Sequence, residues 1–395
     1  MRKTHPSITP DELAHLKSKV EHTWGRTIKI SADCEKLQQH MQQTIGAGIS
    51  ANTLRRIFGF LNGGGIPSLQ TKNLLAQYCG YASWDHLQQT EVETTASNIS
   101  DESMFFLDFF RIEVKSEGDI NYHNACRSVA KRILGNATLF NRLAEPLAQN
   151  KTAQVFFYER FPYIDGLGLD YYLRGLRLYL HHKKTTEAQI FGHALLFLSH
   201  FLQNKKGEAT AVYEQLLRIK PNASVHDFVQ ARNLGSRILY KKCMAKEPVE
   251  TELEQVHQLA AKHPKPLQVA FWAFPYFQFM IADYLNLAGL YEESEKVVTP
   301  FRRLNGNTIF IEQGYGEAWE AIWQIALHKS QPTVFAHWFE HFDWDSLHYL
   351  FYRFYRLQAI RAYCSLPQAK HSKALREEQA ALIKSTGFHF LKSSS

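Results

Sequence analysis

From end to end this chain punctuates itself as helices. Period-2 alternation of β-branched residues between tight turns, the mark of a strand, is almost absent from its 395 residues. Thr9-Pro10-Asp11-Glu12 supplies a cap residue, a proline suited to the first helical position and two acids for a first turn. Ser31 and Ser50 stand as the openings of a second and a third helix, and Gly25, Gly46 and Gly80 mark helix ends. The expected class is all-α.

A chain this long exceeds one compact core, so several domains or a repeat array are expected. Residues 91–102, EVETTASNISDE, are polar and carry no apolar stripe, which reads as a linker. Beyond it the texture turns aromatic, with Phe105, Phe106, Phe109 and Phe110 close together. The resulting division is a head at 1–90, a linker at 91–102, a helical body at 103–388 and a disordered tail at 389–395.

The opening MRKTHPSITPDEL has no apolar core of a secretory leader. The greasiest stretch, Leu267 to Leu290, is broken by Pro275, Gln278, Asp283 and Asn286, well short of a membrane span. Five cysteines without a C-x-x-C pair point to a reducing compartment. A cytoplasmic protein with no membrane partner is the expectation. Net charge is +7, and residues 1–90 hold ten Lys/Arg against six Asp/Glu, the remaining 305 holding 35 against 32. The positive excess sits in the head, which favours a polyanion there.

The most informative stretch runs from Ile49 to Leu87. Ser50 is a good N-cap, and Leu54, Ile57 and Phe58 share one helical face, leaving Asn52, Thr53, Arg55 and Arg56 for the other. A Gly63–Gly65 turn leads to Pro67-Ser68 and a second short helix with Leu74, Leu75 and Tyr78 inward. Ser50, Thr53, Leu54, Arg56, Ile57, Pro67, Ser68, Thr71, Leu74, Leu75 and Ala76 resemble the second half of a Cro/CI-type helix-turn-helix domain. The pattern Ser-x-x-Thr-Leu-x-Arg-x-Phe-Gly, Pro-Ser and Gly-Tyr-x-Ser-Trp (Gly80, Tyr81, Ser83, Trp84) is also similar to the head of a group of mostly uncharacterised bacterial proteins. The likeness spans about 60 residues. Met41–Ser50 and Gly59–Ile66 are longer than the corresponding turns of the parent motif. What the resemblance implies is double-stranded DNA binding through Ser50, Asn52, Thr53, Arg55 and Arg56, with a homodimer compatible with such a head.

In the body, Ala209, Tyr213, Leu216 and Pro221 fall at the offsets of a tetratricopeptide (TPR) second helix, behind a stripe of Phe191, Ala194, Leu195, Leu198 and Phe201. Gly289, Tyr291, Ser294, Val298 and Phe301 repeat the junction. The small anchors Ala209 and Ser294 are 85 residues apart, two and a half periods of about 34, so a strict array is not kept. The expectation is a degenerate TPR-like α-solenoid of roughly 14 helices. The alternative is an irregular bundle. The solenoid resembles the sensor half of bacterial regulators, which implies a concave face for a peptide or protein segment. Phe157, Tyr158, Tyr171, Tyr172, Trp272, Phe274, Tyr276 and Phe277 either line that groove or, as aromatics at helical spacing more commonly do, build the core.

His337-Trp338-Phe339-Glu340-His341 spells the inverted zinc-protease signature, without a convincing third ligand downstream. His193 and His200 lack an acid to complete a site and read as surface or groove residues. Gly63–Gly65 lacks the G-K-[ST] ending of a phosphate loop. No catalytic residue, cofactor or metal is therefore expected. The functional expectation is a DNA-binding transcriptional regulator with a partner-sensing body, ahead of an interaction scaffold whose head does not bind DNA, with an enzyme third.

Overall fold

A computed structural model describes residues 8, 10–61, 67–114, 119–222, 225–262, 276–305, 314–367 and 373–393, with backbone alone at 10, 11, 89–100 and 305. The chain divides into two compact units, Met1–Glu102 and Ser103–Ser395. Both are helical, and no strand occurs among the described residues. No described helix is long and apolar enough to cross a membrane.

The first unit contains α1 (Pro10–Trp24), α2 (Asp33–Ile45), α3 (Ala51–Phe58), α4 (Leu69–Tyr78) and the start of α5 (Trp84–Phe109). One core joins Leu16 and Val20 of α1, Leu37 and Met41 of α2, Leu54 and Ile57 of α3, Leu75 of α4 and Trp84 of α5. Helix α2 begins two residues after Ser31, the expected opening. The Asp33 carboxylate instead accepts the Ile30 and Lys29 amides at 3.0 Å each, and those two bonds hold it below the usual carboxylate range. Gly46 ends α2 at φ +66°, a left-handed conformation that a side chain resists, with its amide on Gln42 O. Thr9 and Gly63–Gly65 lie outside the described residues.

The backbone of α5 is helical through 91–102, where the sequence reads as a linker. Polarity removes an apolar stripe but not helicity: Ser and Thr cost a few tenths of a kcal/mol each. Nowhere between Trp84 and Phe109 does a Gly or Pro interrupt the ladder.

The second unit continues with α6 (Ile120–Leu134), α7 (Ala137–Gln149) and α8 (Lys151–Ala153), which runs into a π-helical stretch at Gln154–Glu159. Next come α9 (Asp170–His182), α10 (Thr186–Leu202), α11 (Lys206–Arg218) and α12 (Asp227–Leu239), the last leading into a π-helical Tyr240–Ala245. Then follow α13 (Glu250–Lys262), α14 (Phe277–Leu287), α15 (Tyr291–Asn305), α16 (Tyr315–Leu327), α17 (Pro332–His341), α18 (Tyr352–Cys364) and α19 (Lys373–Thr386). Packing is mostly between near neighbours in sequence: α7 on α9, α10 on α11 and α12, α12 on α14, α14 on α15 and α16, α16 on α18, α18 on α19.

At the first repeat-like junction Ala209, Tyr213 and Leu216 are all buried, and Tyr213 stacks on Tyr240 at 3.9 Å between ring centroids. At the second, Ser294 is buried and its hydroxyl donates to Ala282 O at 3.1 Å. Phe157, Tyr158, Tyr172 and Phe277 are buried core, Tyr171 and Tyr276 are half-buried, and Trp272 and Phe274 lie outside the described residues.

Two features depart from an open row of helices. The Asp165 carboxylate accepts the amides of Arg353 and Phe354 at 2.8 and 2.9 Å, so the start of α18 returns to the segment before α9. The expected tail from 389 onward is ordered to 393. Phe388 and Leu391 are buried, Gln379 Nε2 donates to Leu391 O at 3.2 Å, and the Phe390 ring sits 4.3 Å from Phe201. Three apolar residues in a polar-looking end, Phe388, Phe390 and Leu391, anchor it.

Candidate nucleic-acid interface

The five residues singled out in the sequence all fall on α3 or its cap. Ser50 has extended backbone and its Oγ accepts the Thr53 amide at 3.2 Å, an N-cap worth about 1 kcal/mol. The two hydroxyls of Ser50 and Thr53 are 2.9 Å apart. From α2, Gln38 Oε1 accepts the Ala51 amide at 3.2 Å, so a second first-turn donor is satisfied. Leu54 and Ile57 are buried, which fixes the opposite face outward. Burying each supplies about 1.5–3 kcal/mol to hold the helix against the core.

On the outward face the residues are not equivalent. Arg55 is drawn to α2, where its Nη2 bonds to Glu35 and its Nη1 donates to Asn52 Oδ1 at 2.8 Å. Its side chain is only 21% exposed, while that of Glu35 is 57% exposed. Arg56 is exposed and makes no hydrogen bond or ion pair among the described residues. Asn52 is exposed, with its Oδ1 already accepting from Arg55 and its NH₂ left to donate. The sequence placed Arg55 beside Arg56 as a bare reader. The structure instead makes Arg55 the centre of an Asn52–Arg55–Glu35 chain, and Arg56 the outward cation.

The sequence reading missed Glu35 and Gln38. They sit on α2 some 20 and 13 residues before their partners, beyond the reach of any local spacing rule. A polar i, i+3 pair along α2 facing a following helix was the available signal.

Elsewhere, the H-x-x-E-H segment forms the end of α17. His337, Glu340 and His341 are exposed, the two imidazoles lie 4.2 Å apart, and His341 Nδ1 is 2.8 Å from His337 O. Glu340 accepts the Tyr363 hydroxyl at 2.8 Å. Among the described residues no group of three His, Cys, Asp or Glu is placed to hold a metal ion. His193 is half-buried, with Nδ1 2.7 Å from Gln189 O. His200 is buried rather than on a surface, and that burial pushes its imidazole below the usual range. Compared with family models, curated proteins and solved structures, the chain has no significant match to any of them.

Proposed function

We propose that this chain is a DNA-binding regulator, with α3 docking in the major groove of a duplex and the second unit receiving the input. The observation that carries the reading is the two-sidedness of α3. Its Leu54–Ile57 face is sunk in the first unit's core, while a Ser50-capped first turn, Asn52 and Arg56 face outward. A short helix held from behind suits a groove about 12 Å wide, where an Arg fork reads guanine and an amide reads adenine. The net +4 of residues 1–90 supports approach to phosphate.

Neighbour-to-neighbour packing and the two buried junctions support a degenerate TPR-like solenoid in the second unit, with a peptide or protein segment as its partner. The return of α18 onto the segment before α9, and of Phe390 onto α10, leaves less room for an open concave groove than a free-standing array has.

The test is selection of duplexes from a random library by the full chain at about 50 mM salt, followed by salt titration. The expected result is an enriched sequence whose affinity falls steeply with salt, and a loss of about 1–3 kcal/mol in Arg56→Ala. Two-fold symmetric sites would mark a homodimer. No enrichment would reject DNA binding. The second reading, a scaffold whose head does not bind DNA, is favoured by one observation: Glu35 neutralises Arg55. It is the reading left standing by that negative result.

A further inference from the structure

The second unit holds an open cleft of about 800 Å³ assembled from three distant stretches of chain. Arg127 and Lys131 project from α6 one turn apart, Tyr349, Tyr352 and Arg353 come from the entry to α18, and Tyr163 lies before α9. We propose that this cleft binds a phosphomonoester carrying a planar ring, a ligand of mononucleotide size.

Charge is the first argument. Neither Lys131 nor the Arg353 guanidinium has an ion-pair partner among the described residues, and both reach the cleft wall. Lys131 Nζ instead lies 5.6 Å from the centroid of the Tyr349 ring. Two carboxylates also line the space. Asp165 has both oxygens turned onto the Arg353 and Phe354 amides, while Asp345 is exposed. Two unpaired cations, Lys131 and Arg353, against one outward carboxylate leave a positive excess for a phosphate, and an Arg fork matches phosphate geometry.

Rigidity is the second argument. Each wall is pinned by hydrogen bonds across the sequence: Asp165 N donates to Leu350 O at 2.9 Å, Tyr349 Oη to Arg127 O at 3.4 Å, and Tyr171 Oη to Leu134 O at 2.8 Å. A cleft held this way loses little freedom when a ligand enters. Its size is the third argument. A lone phosphate fills a small part of about 800 Å³, and Tyr163, Tyr349 and Tyr352 offer apolar ring surface for the rest.

The proposal leans on the regulatory reading only for its consequence, since every residue named belongs to the second unit. The full chain is titrated calorimetrically with AMP, ribose 5-phosphate, inorganic phosphate and adenosine. AMP should bind saturably, ribose 5-phosphate and inorganic phosphate more weakly, and adenosine not at all. Arg353→Gln and Lys131→Gln, each on a partly or fully exposed side chain, should weaken AMP by about ten- to a hundredfold. Asp345→Asn should tighten it. Arg56→Ala, which tests the DNA surface, should leave AMP binding unchanged. Absence of saturable AMP binding, or binding equal in Arg353→Gln, in Lys131→Gln and in the parent chain, overturns the site. AMP binding lost in Arg56→Ala places it on the first unit and also overturns it. Equal affinity for ribose 5-phosphate overturns the ring-binding half. Failure of DNA selection touches none of these readings.

Discussion

Asp283 shows what a single buried group does to the whole fold's response to acid. It lies on α14, accepts Gln358 Nε2 at 2.9 Å, has the Tyr355 hydroxyl at 3.5 Å, and feels the nearby Arg232. Burial outweighs these partners and raises its carboxyl to about 6. Burial likewise lifts Asp165 to about 7 despite its two amide donors. In both cases the folded chain keeps a proton that the unfolded chain gives up. Their stabilising share is therefore full below about pH 4 and is lost as pH rises through about 6 and then about 7. His328 works in the opposite sense. Burial drops its imidazole to about 4, so the unfolded chain gains a proton first and stability falls as pH drops below about 6.5. Asp283→Asn keeps an acceptor for Gln358 and removes the charge. Its stability relative to the parent chain should rise between about pH 4.5 and 6.5, read as urea midpoints at several pH values. A difference that does not change with pH would show that Asp283 is ionised throughout.

Among elements, the pairing of α2 with α3 decides which cation stands outward, and on the proposed DNA-binding reading which one would meet a duplex. Glu35 holds Arg55, so Glu35→Gln should release one positive charge toward the polyanion. Binding should tighten a few-fold and the salt slope should steepen by about one contact. Weakened binding would mean that Glu35 serves by positioning Arg55. The sequence made α3 legible as a helix because its cap and its buried face are local, while its contacts to Glu35 and Gln38 are not. The Ser50 cap acts three residues along, and Leu54 and Ile57 share a face by spacing alone. Helix α5 shows the converse. Hydrophobic periodicity marks which face of a helix is buried, and residues 91–102 have no such face to report, yet the backbone stays helical. The Lys131–Arg353 cleft was invisible for a different reason. Its walls join α6 and the segment before α9 to the entry of α18, through contacts spanning 222 and 188 residues respectively. No window along the chain contains both.

On the scale of the molecule, two compact units imply two unfolding events. The first has its own core, running from Ile8 to Leu87, and the second contains another, around Phe335, Phe339 and Ile360. Units with separate cores commonly break two-state behaviour. Calorimetry of the full chain should resolve a smaller transition, about 70 kcal/mol for some hundred residues, from a larger one about three times its size. Ligands then assign them. A molecule that binds only the folded form of one unit raises that unit's stability by mass action, by about 2.7 kcal/mol at a hundredfold excess over Kd. Duplex DNA should shift the smaller transition and AMP the larger. A regulator needs more than two independent shifts, because an input must reach the output. If the unliganded units are coupled, AMP should also move the smaller transition, and DNA the larger by the same free energy, since linkage is reciprocal. Shifts confined each to its own transition would leave the chain a DNA-binding unit and a ligand-binding unit on one helix-connected backbone, without regulation between them.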